Sequence, residues 1–190
     1  KNHDINIKSE NNFPHSSGIA SSASSMSALA SCLVDIEKLN SNQQDDTYYL
    51  KKKSFIARLG SGSASRSIEG PVTIWGESKS YPGSSNLFAI NISEDIDPIF
   101  QEYQNTILVI DPGVKKIPSS IGHKLMNENP FSKIRFNEAK KNITRLKDVF
   151  KSGHLDEFIN ITESEALMIH SLMLSSSPYF ILIKPNTLEV

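Results

Sequence analysis

Small hydroxyl side chains, glycines and isolated cations fall into three clusters along this chain, a combination suited to holding phosphate groups. The first is Asn11-Asn12-Phe13-Pro14-His15-Ser16-Ser17-Gly18-Ile19-Ala20-Ser21-Ser22-Ala23, a serine loop that runs straight into a helical pattern. The first N–H groups of a helix lack intrahelical partners and lie at the positive end of its dipole, so an anion is favoured there. Gly18 lets backbone approach a ligand closely, and serine hydroxyls bond phosphate oxygens without filling the space. From the residues alone, the segment equally reads as a serine loop that only caps a helix. No Gly-Lys-Ser/Thr follows, so it is not a Walker A loop.

The second cluster is Ala57-Arg58-Leu59-Gly60-Ser61-Gly62-Ser63-Ala64-Ser65-Arg66-Ser67. Several hydroxyls with one guanidinium in reach can clasp a phosphate or a carboxylate. Glycine alternating with serine is also the composition of a flexible linker; Arg66 and the apolar Ile68 favour a binding loop, whereas Arg58 reads as a helix-end charge. In the third, Lys115 and Lys116 precede Ser119 and Ser120 at a predicted helix start, a second place for an anion; solvated surface lysines fit equally well. His3, His15, His123, His154 and His170 have no ligand-like spacing, which argues against a structural zinc site, and His170 reads as a packed or hydrogen-bonded side chain. No Gly-x-Ser-x-Gly elbow supports a serine nucleophile.

The elements that must position these clusters follow from periodicity. Met26, Leu29, Ala30, Leu33 and Val34 make one apolar stripe, predicting a helix that ends near Lys38. A second helix is expected over 47–59, with Tyr48, Phe55, Ile56 and Leu59 on its apolar side. Strands are expected over 4–9, 72–75, 87–92, 106–111 and 179–184, the fourth as a buried central strand because Ile107 to Ile110 is continuously apolar. Helices are expected over 119–128, 132–151 and 154–174, with Gly153 as the C-cap between the last two. Strands and helices are mixed without regular βαβ alternation, which indicates an α+β arrangement. The polar stretch around 84–104 is the best boundary, giving expected lobes 1–95 and 96–190. A strand end at the start and an element entrance at the finish predict an internal fragment.

With 190 residues and a net charge of −1, the chain can bury a core and shows no basic surplus for nucleic acid or an anionic membrane. Cys32 is the only cysteine, so no intrachain disulfide can form; a reducing cytoplasm is the expected setting, with Cys32 a small buried hydrophobe. No apolar run reaches membrane-spanning length.

Taken together, the clusters resemble the diphosphomevalonate decarboxylases of the GHMP kinase superfamily. Pro14, Gly18, Ser21, Ser22 and Ala23 match the superfamily's Pro-x-x-x-Gly-Leu-x-Ser-Ser-Ala, with Ile19 in place of leucine, and Asn11-Asn12-Phe13-Pro14 is the decarboxylase form. The second cluster is similar to Ala-Arg-x-Gly-Ser-Gly-Ser-Ala-Cys-Arg-Ser, with Ser65 at the cysteine position. The 115–122 stretch is similar to Lys-Lys-x-x-Ser-Ser/Thr-x-Gly, with His123 where many members carry methionine. The resemblance implies a two-lobed GHMP kinase-like fold, its N-terminal lobe like domain 2 of ribosomal protein S5 and its C-terminal lobe ferredoxin-like, both incomplete here. It implies ATP and Mg2+, phosphorylation of the 3-hydroxyl of mevalonate 5-diphosphate, then loss of phosphate and carbon dioxide to give isopentenyl diphosphate.

On this resemblance Pro14, Ser16, Ser17, Gly18, Ile19, Ala20, Ser21 and Ser22 would cradle the ATP phosphates, with Ser21 and Ser22 orienting the γ-phosphate. Ser61, Gly62, Ser63 and Arg66 would hold the substrate, and Lys116, Ser119 and Ser120 its diphosphate. The family's Asp-Ala-Gly-Pro-Asn motif does not occur in this sequence, which predicts an inactive isolated chain. The resemblance also carries the expectation of a homodimer, which no residue here shows. Alternatives on the same residues are a mevalonate 5-phosphate decarboxylase, a 3-kinase, or a non-catalytic nucleotide-binding module.

Overall fold

A computed structural model describes residues 5–13, 19–42, 45–110 and 125–190. The described residues form two compact units, one running up to Glu77 and resuming over Tyr81–Ile92, the other made of Ser78–Ser80 and the residues from Ser93 onward. Pro14, Ser16, Ser17 and Gly18 of the first cluster, and Lys115, Lys116, Ser119 and Ser120 of the third, lie outside the described residues, as does the expected helix start at 119.

In the first unit, helices α1 (Ser21–Leu39) and α2 (Asp46–Gly60) lead into a 3-10 helix (Gly62–Ser67) and an antiparallel pair, β1 (Thr73–Trp75) and β2 (Ala89–Asn91). The pair is in register Thr73↔Asn91, Ile74↔Ile90, Trp75↔Ala89. Both helices keep close to their expected bounds because their signals are local. Asp45 accepts a hydrogen bond from Tyr48 N at 3.2 Å, an N-cap that satisfies one orphan donor of α2.

The core between the helices is built from small residues: Ala23, Ala30, Ala57 and Ala64 are buried, with Met26, Ile56 and Ile68 packed against them. Small side chains allow α1, α2 and the 3-10 helix to approach closely, and ion pairs join the two α-helices. Lys38 pairs with Asp46, Lys52 with Glu37, and Lys53 with Asp35 at 2.7 Å. Ser54, only 2% exposed, ties three elements together: its hydroxyl donates to Ser65 O and accepts from Ala89 N, both at 2.8 Å.

The buried stripe of α1 therefore runs through Ala23, Ser27, Ala30 and Val34, while Met26, Leu29 and Leu33 are half-buried beside it. Cys32 is exposed, contrary to expectation: two residues from both Ala30 and Val34, it lies about 200° round the helix from the buried stripe. On α2 the buried positions are Tyr49, Ser54 and Ala57, whereas Tyr48 and Leu59 face solvent.

The second unit holds two short 3-10 turns (Ser93–Asp95 and Pro98–Phe100) and the helices α3 (Ser132–Ser152), α4 (Leu155–Leu174) and α5 (Pro185–Leu188). Gly153 ends α3 in the left-handed region (φ 73°), its N–H donating to Val149 O at 3.0 Å, the C-cap the sequence predicts. Phe100, Tyr103, Phe150 and Phe158 stack edge-on and tilted at centroid distances of 5.1–5.9 Å. Glu165 of α4 bonds both Arg135 and Asn142 of α3.

Three expected strands are not strands here. Residues 5–10, 106–110 and 179–183 are irregular, and Ile107, Leu108 and Val109 are each more than half exposed. An apolar run becomes a strand only when a neighbour pairs with its backbone, and the one sheet among the described residues is β1–β2.

Candidate functional site

Two of the three serine-bearing clusters meet in the first unit. Chain direction changes abruptly at Ala20, which precedes α1 with φ 64° and ψ 33°, a left-handed conformation that costs an alanine roughly 1–2 kcal/mol. No side chain caps α1, so its leading N–H groups are free of any side-chain acceptor among the described residues. Ser21 is buried and Ser22 is exposed at this end. One turn on, Ser25 Oγ donates to Ser21 O at 3.0 Å and lies 3.4 Å from Asn11 Oδ1, which ties Asn11 to the start of α1.

The second cluster arrives from the other side. Ser61 ends α2 in an extended conformation (φ −153°, ψ 121°) and starts the 3-10 helix, its carbonyl accepting from Ala64 N at 2.9 Å. Its hydroxyl stands 3.3 Å from the Ser22 hydroxyl. Ser63 is half-buried beside it. Ser65 is buried, and its Oγ donates to Gly62 O at 2.9 Å, so the serine at the family's cysteine position holds the loop in shape. Arg66 is anchored through its backbone, whose carbonyl accepts from Thr73 Oγ1 at 3.3 Å. Its exposed guanidinium has no hydrogen bond or ion pair among the described residues, which leaves its fork available to an anion. Arg58 turns elsewhere, donating from Nε to Leu87 O at 2.9 Å and lying over the Phe55 ring.

The arrangement thus puts a helix N-terminus, two exposed or half-exposed hydroxyls and a nearby free cation on one unit. Such a set can bind anionic oxygens; among the described residues it contains no arrangement of nucleophile and base. Among the described residues no group of three or more His, Cys, Asp or Glu side chains converges. Sequence reasoning missed Ser54 and Asn11–Ser25, because contacts between distant residues leave no local mark. His170 lies in the second unit, half-buried, its Nδ1 without a hydrogen-bond partner.

Residues 1–87 match the family described as the diphosphomevalonate decarboxylase-like N-terminal domain. A mevalonate diphosphate decarboxylase from Legionella pneumophila superposes with a TM-score of 0.73 at 31% identity, over 94% of this chain and 52% of that one. Over nearly its whole length the chain is similar to the diphosphomevalonate decarboxylases. Its α+β architecture is that of the family's GHMP-kinase-type fold. The diphosphomevalonate decarboxylase of Candida albicans is 30% identical over 178 residues, which are 92% of this chain and 46% of the relative. That of Aspergillus fumigatus is 28% identical over 178 residues, 92% of this chain and 41% of the relative. The chain therefore spans less than half the length of these curated family members. MDDEF, solved in complex with MVAPP, AMPPCP and magnesium, superposes with a TM-score of 0.69 at 28% identity. None of the helices among the described residues is long and apolar enough to cross a membrane.

Proposed function

We propose that this chain serves the ATP-dependent decarboxylation of mevalonate 5-diphosphate. The γ-phosphoryl group of ATP passes to the tertiary 3-hydroxyl, giving ADP and a 3-phosphate. The 3-phosphate then leaves with its bonding electrons as the carboxylate loses carbon dioxide, and the electron pair of the broken C–C bond forms the double bond of isopentenyl diphosphate. Phosphoryl transfer of this kind is mostly positioning and charge stabilisation. The observation that carries the reading is the meeting of Ser22 and Ser61 hydroxyls at 3.3 Å, which joins the proposed nucleotide element to the proposed substrate element.

In this reading Pro14, Ser16, Ser17, Gly18, Ile19, Ala20, Ser21 and Ser22 form the nucleotide side, and the free first-turn amides of α1 meet the phosphates. Ser61, Ser63 and Arg66 form the substrate side, with Arg66 on the carboxylate or phosphoryl groups; Lys116, Ser119 and Ser120 take the diphosphate. The complex of MDDEF with AMPPCP and magnesium supports ATP and Mg2+ as co-substrate and cation. The donor set fits the ion: serine hydroxyls are hard oxygen ligands, and with no carboxylate cluster among the described residues the remaining ligands would be phosphate oxygens. Bound magnesium would supply charge neutralisation on those oxygens.

The test is binding of mevalonate 5-diphosphate and mevalonate 5-phosphate to the 190-residue chain by isothermal titration. The diphosphate should bind more tightly, and Arg66→Leu should weaken it by ~10-fold or more, the cost of one charge-assisted bond. Equal affinity in the parent and Arg66→Leu would remove Arg66 from the substrate side. Carboxyl-labelled substrate with Mg-ATP should release no carbon dioxide, because the sequence lacks the Asp-Ala-Gly motif.

A further inference from the structure

The glycines in Gly60-Ser61-Gly62-Ser63 are needed for space rather than for backbone freedom, since neither has a positive φ. A Cβ on Gly60 would stand 2.3 Å from Met26 Sδ and 2.7 Å from Met26 Cγ. A Cβ on Gly62 would stand 3.1 Å from Trp75 Cη2 and 3.5 Å from Cζ3. The segment is therefore gripped on one side by α1 and on the other by β1, and Ser61 is the residue between the two grips.

The Met26 side can yield, because a thioether is flexible. The Trp75 side cannot do so easily. Trp75 is paired with Ala89 in the sheet, and its Nε1 donates to Asn86 O at 3.1 Å. Asn86 is itself held, its Oδ1 accepting from Glu77 N at 3.0 Å. The next residue, Gly76, closes the strand end by donating to Ser85 O at 3.0 Å. One edge of a fixed indole thus meets Gly62, while 37% of the residue remains exposed.

We propose that Trp75 is a positioning residue for the proposed reaction. Its ring edge sets the height of the Ser61–Ser63 segment and, through it, the separation of Ser61 from Ser22. The proposal rests on the reading that Ser61 and Ser63 hold the phosphorylated substrate; Trp75 itself touches none.

The experiment compares the chain with Gly62→Ala, Trp75→Leu and the double variant, reading affinity for mevalonate 5-diphosphate by isothermal titration and the melting temperature of each. The methyl group of Gly62→Ala should lift the loop off the indole and weaken binding ~10-fold, and Trp75→Leu should weaken it ~3-fold or more; the double variant, with room for the methyl, should return to within ~3-fold of the parent, the non-additivity of a direct contact. Trp75→Phe, which keeps a flat ring, should bind as well as or better than Trp75→Leu. Trp75 is the only tryptophan, so the parent's fluorescence should also change saturably as the ligand binds. A double variant as weak as the two single losses combined overturns the positioning role, as do affinity losses that merely follow losses in melting temperature. A parent that binds no mevalonate 5-diphosphate overturns the functional reading and the positioning role with it. A parent that binds while the single effects add overturns the positioning role alone.

Discussion

Replacing Ser22 by alanine separates a structural hydroxyl from a ligand-binding one. The Ser22 and Ser61 hydroxyls are 3.3 Å apart and open to solvent, so water can replace either partner. A bond of that kind contributes no more than ~0.5 kcal/mol to folding, and the gain in helix propensity from alanine offsets about as much. The melting temperature of Ser22→Ala should therefore stay within ~2–4 °C of the parent, given the sensitivity expected for a unit of this size. A hydroxyl that donates to a phosphate oxygen contributes far more, ~1.5–3 kcal/mol, which corresponds to ~10–150-fold in affinity. The assay is isothermal titration of Mg-AMPPCP into the chain saturated with mevalonate 5-diphosphate, with melting curves on the same samples. Near-parental melting with nucleotide affinity reduced by at least ~10-fold is the expected pair of results. Unchanged affinity would show that Ser22 does not face the nucleotide. A melting temperature lowered by more than ~5 °C would show that the hydroxyl is part of the scaffold.

Three further outcomes test the scaffold beneath the site. Ser54→Ala should cost ~2–3 kcal/mol, because Ser65 O and Ala89 N would both be left buried without their partner; a denaturant midpoint close to the parental one would contradict the role given to Ser54. Gly153→Ala should destabilise the second unit by ~1–2 kcal/mol from the left-handed backbone alone, with more from a Cβ 2.9 Å from Asp97 Oδ2; unaltered urea unfolding would be inconsistent with that cap. The hydrogen bond from Lys38 holds the Asp46 carboxyl below its ordinary value of 3.8, so its stabilisation is complete above that value and is lost as pH falls through the lower folded one. Asp46→Asn should accordingly be slightly less stable than the parent at neutral pH, a small effect because the pair is solvent-screened, and should converge with it in acid, giving a flatter acid limb; acid limbs of equal slope in the two proteins would refute the linkage.

What could be read from the sequence divides along the range of the interactions involved. Helices α1 to α4 were legible because periodicity and some caps are written within a few residues, as with Gly153 and the Ala30–Val34 stripe, whereas the Asp45 cap of α2 was not read. The clusters that meet in the first unit were legible as hydroxyl-rich loops by residue type, and their order along the chain carried the family resemblance. Their meeting was not, since Ser22 and Ser61 are 39 residues apart. Nor was the difference between Ser21 and Ser22, which depends on which side of α1 is covered. Residues 106–110 and 179–183 have strand composition, but pairing depends on a partner that composition does not name. Cys32 misled because its neighbour Leu33 is apolar, whereas burial on a helix follows positions three and four away. The left-handed Ala20 carries no composition signal at all, because alanine rarely adopts that conformation.

In the proposed site two phosphate-bearing molecules meet at the start of α1 and the Ser61–Ser63 segment. Equilibrium titration of the chain with Mg-AMPPCP and mevalonate 5-diphosphate, each alone and then together, tests it most directly. One saturable site for each ligand per chain is expected, both occupied at once, with inorganic pyrophosphate competing at the substrate site. Failure of either ligand to bind, or mutual exclusion of the two, would contradict it.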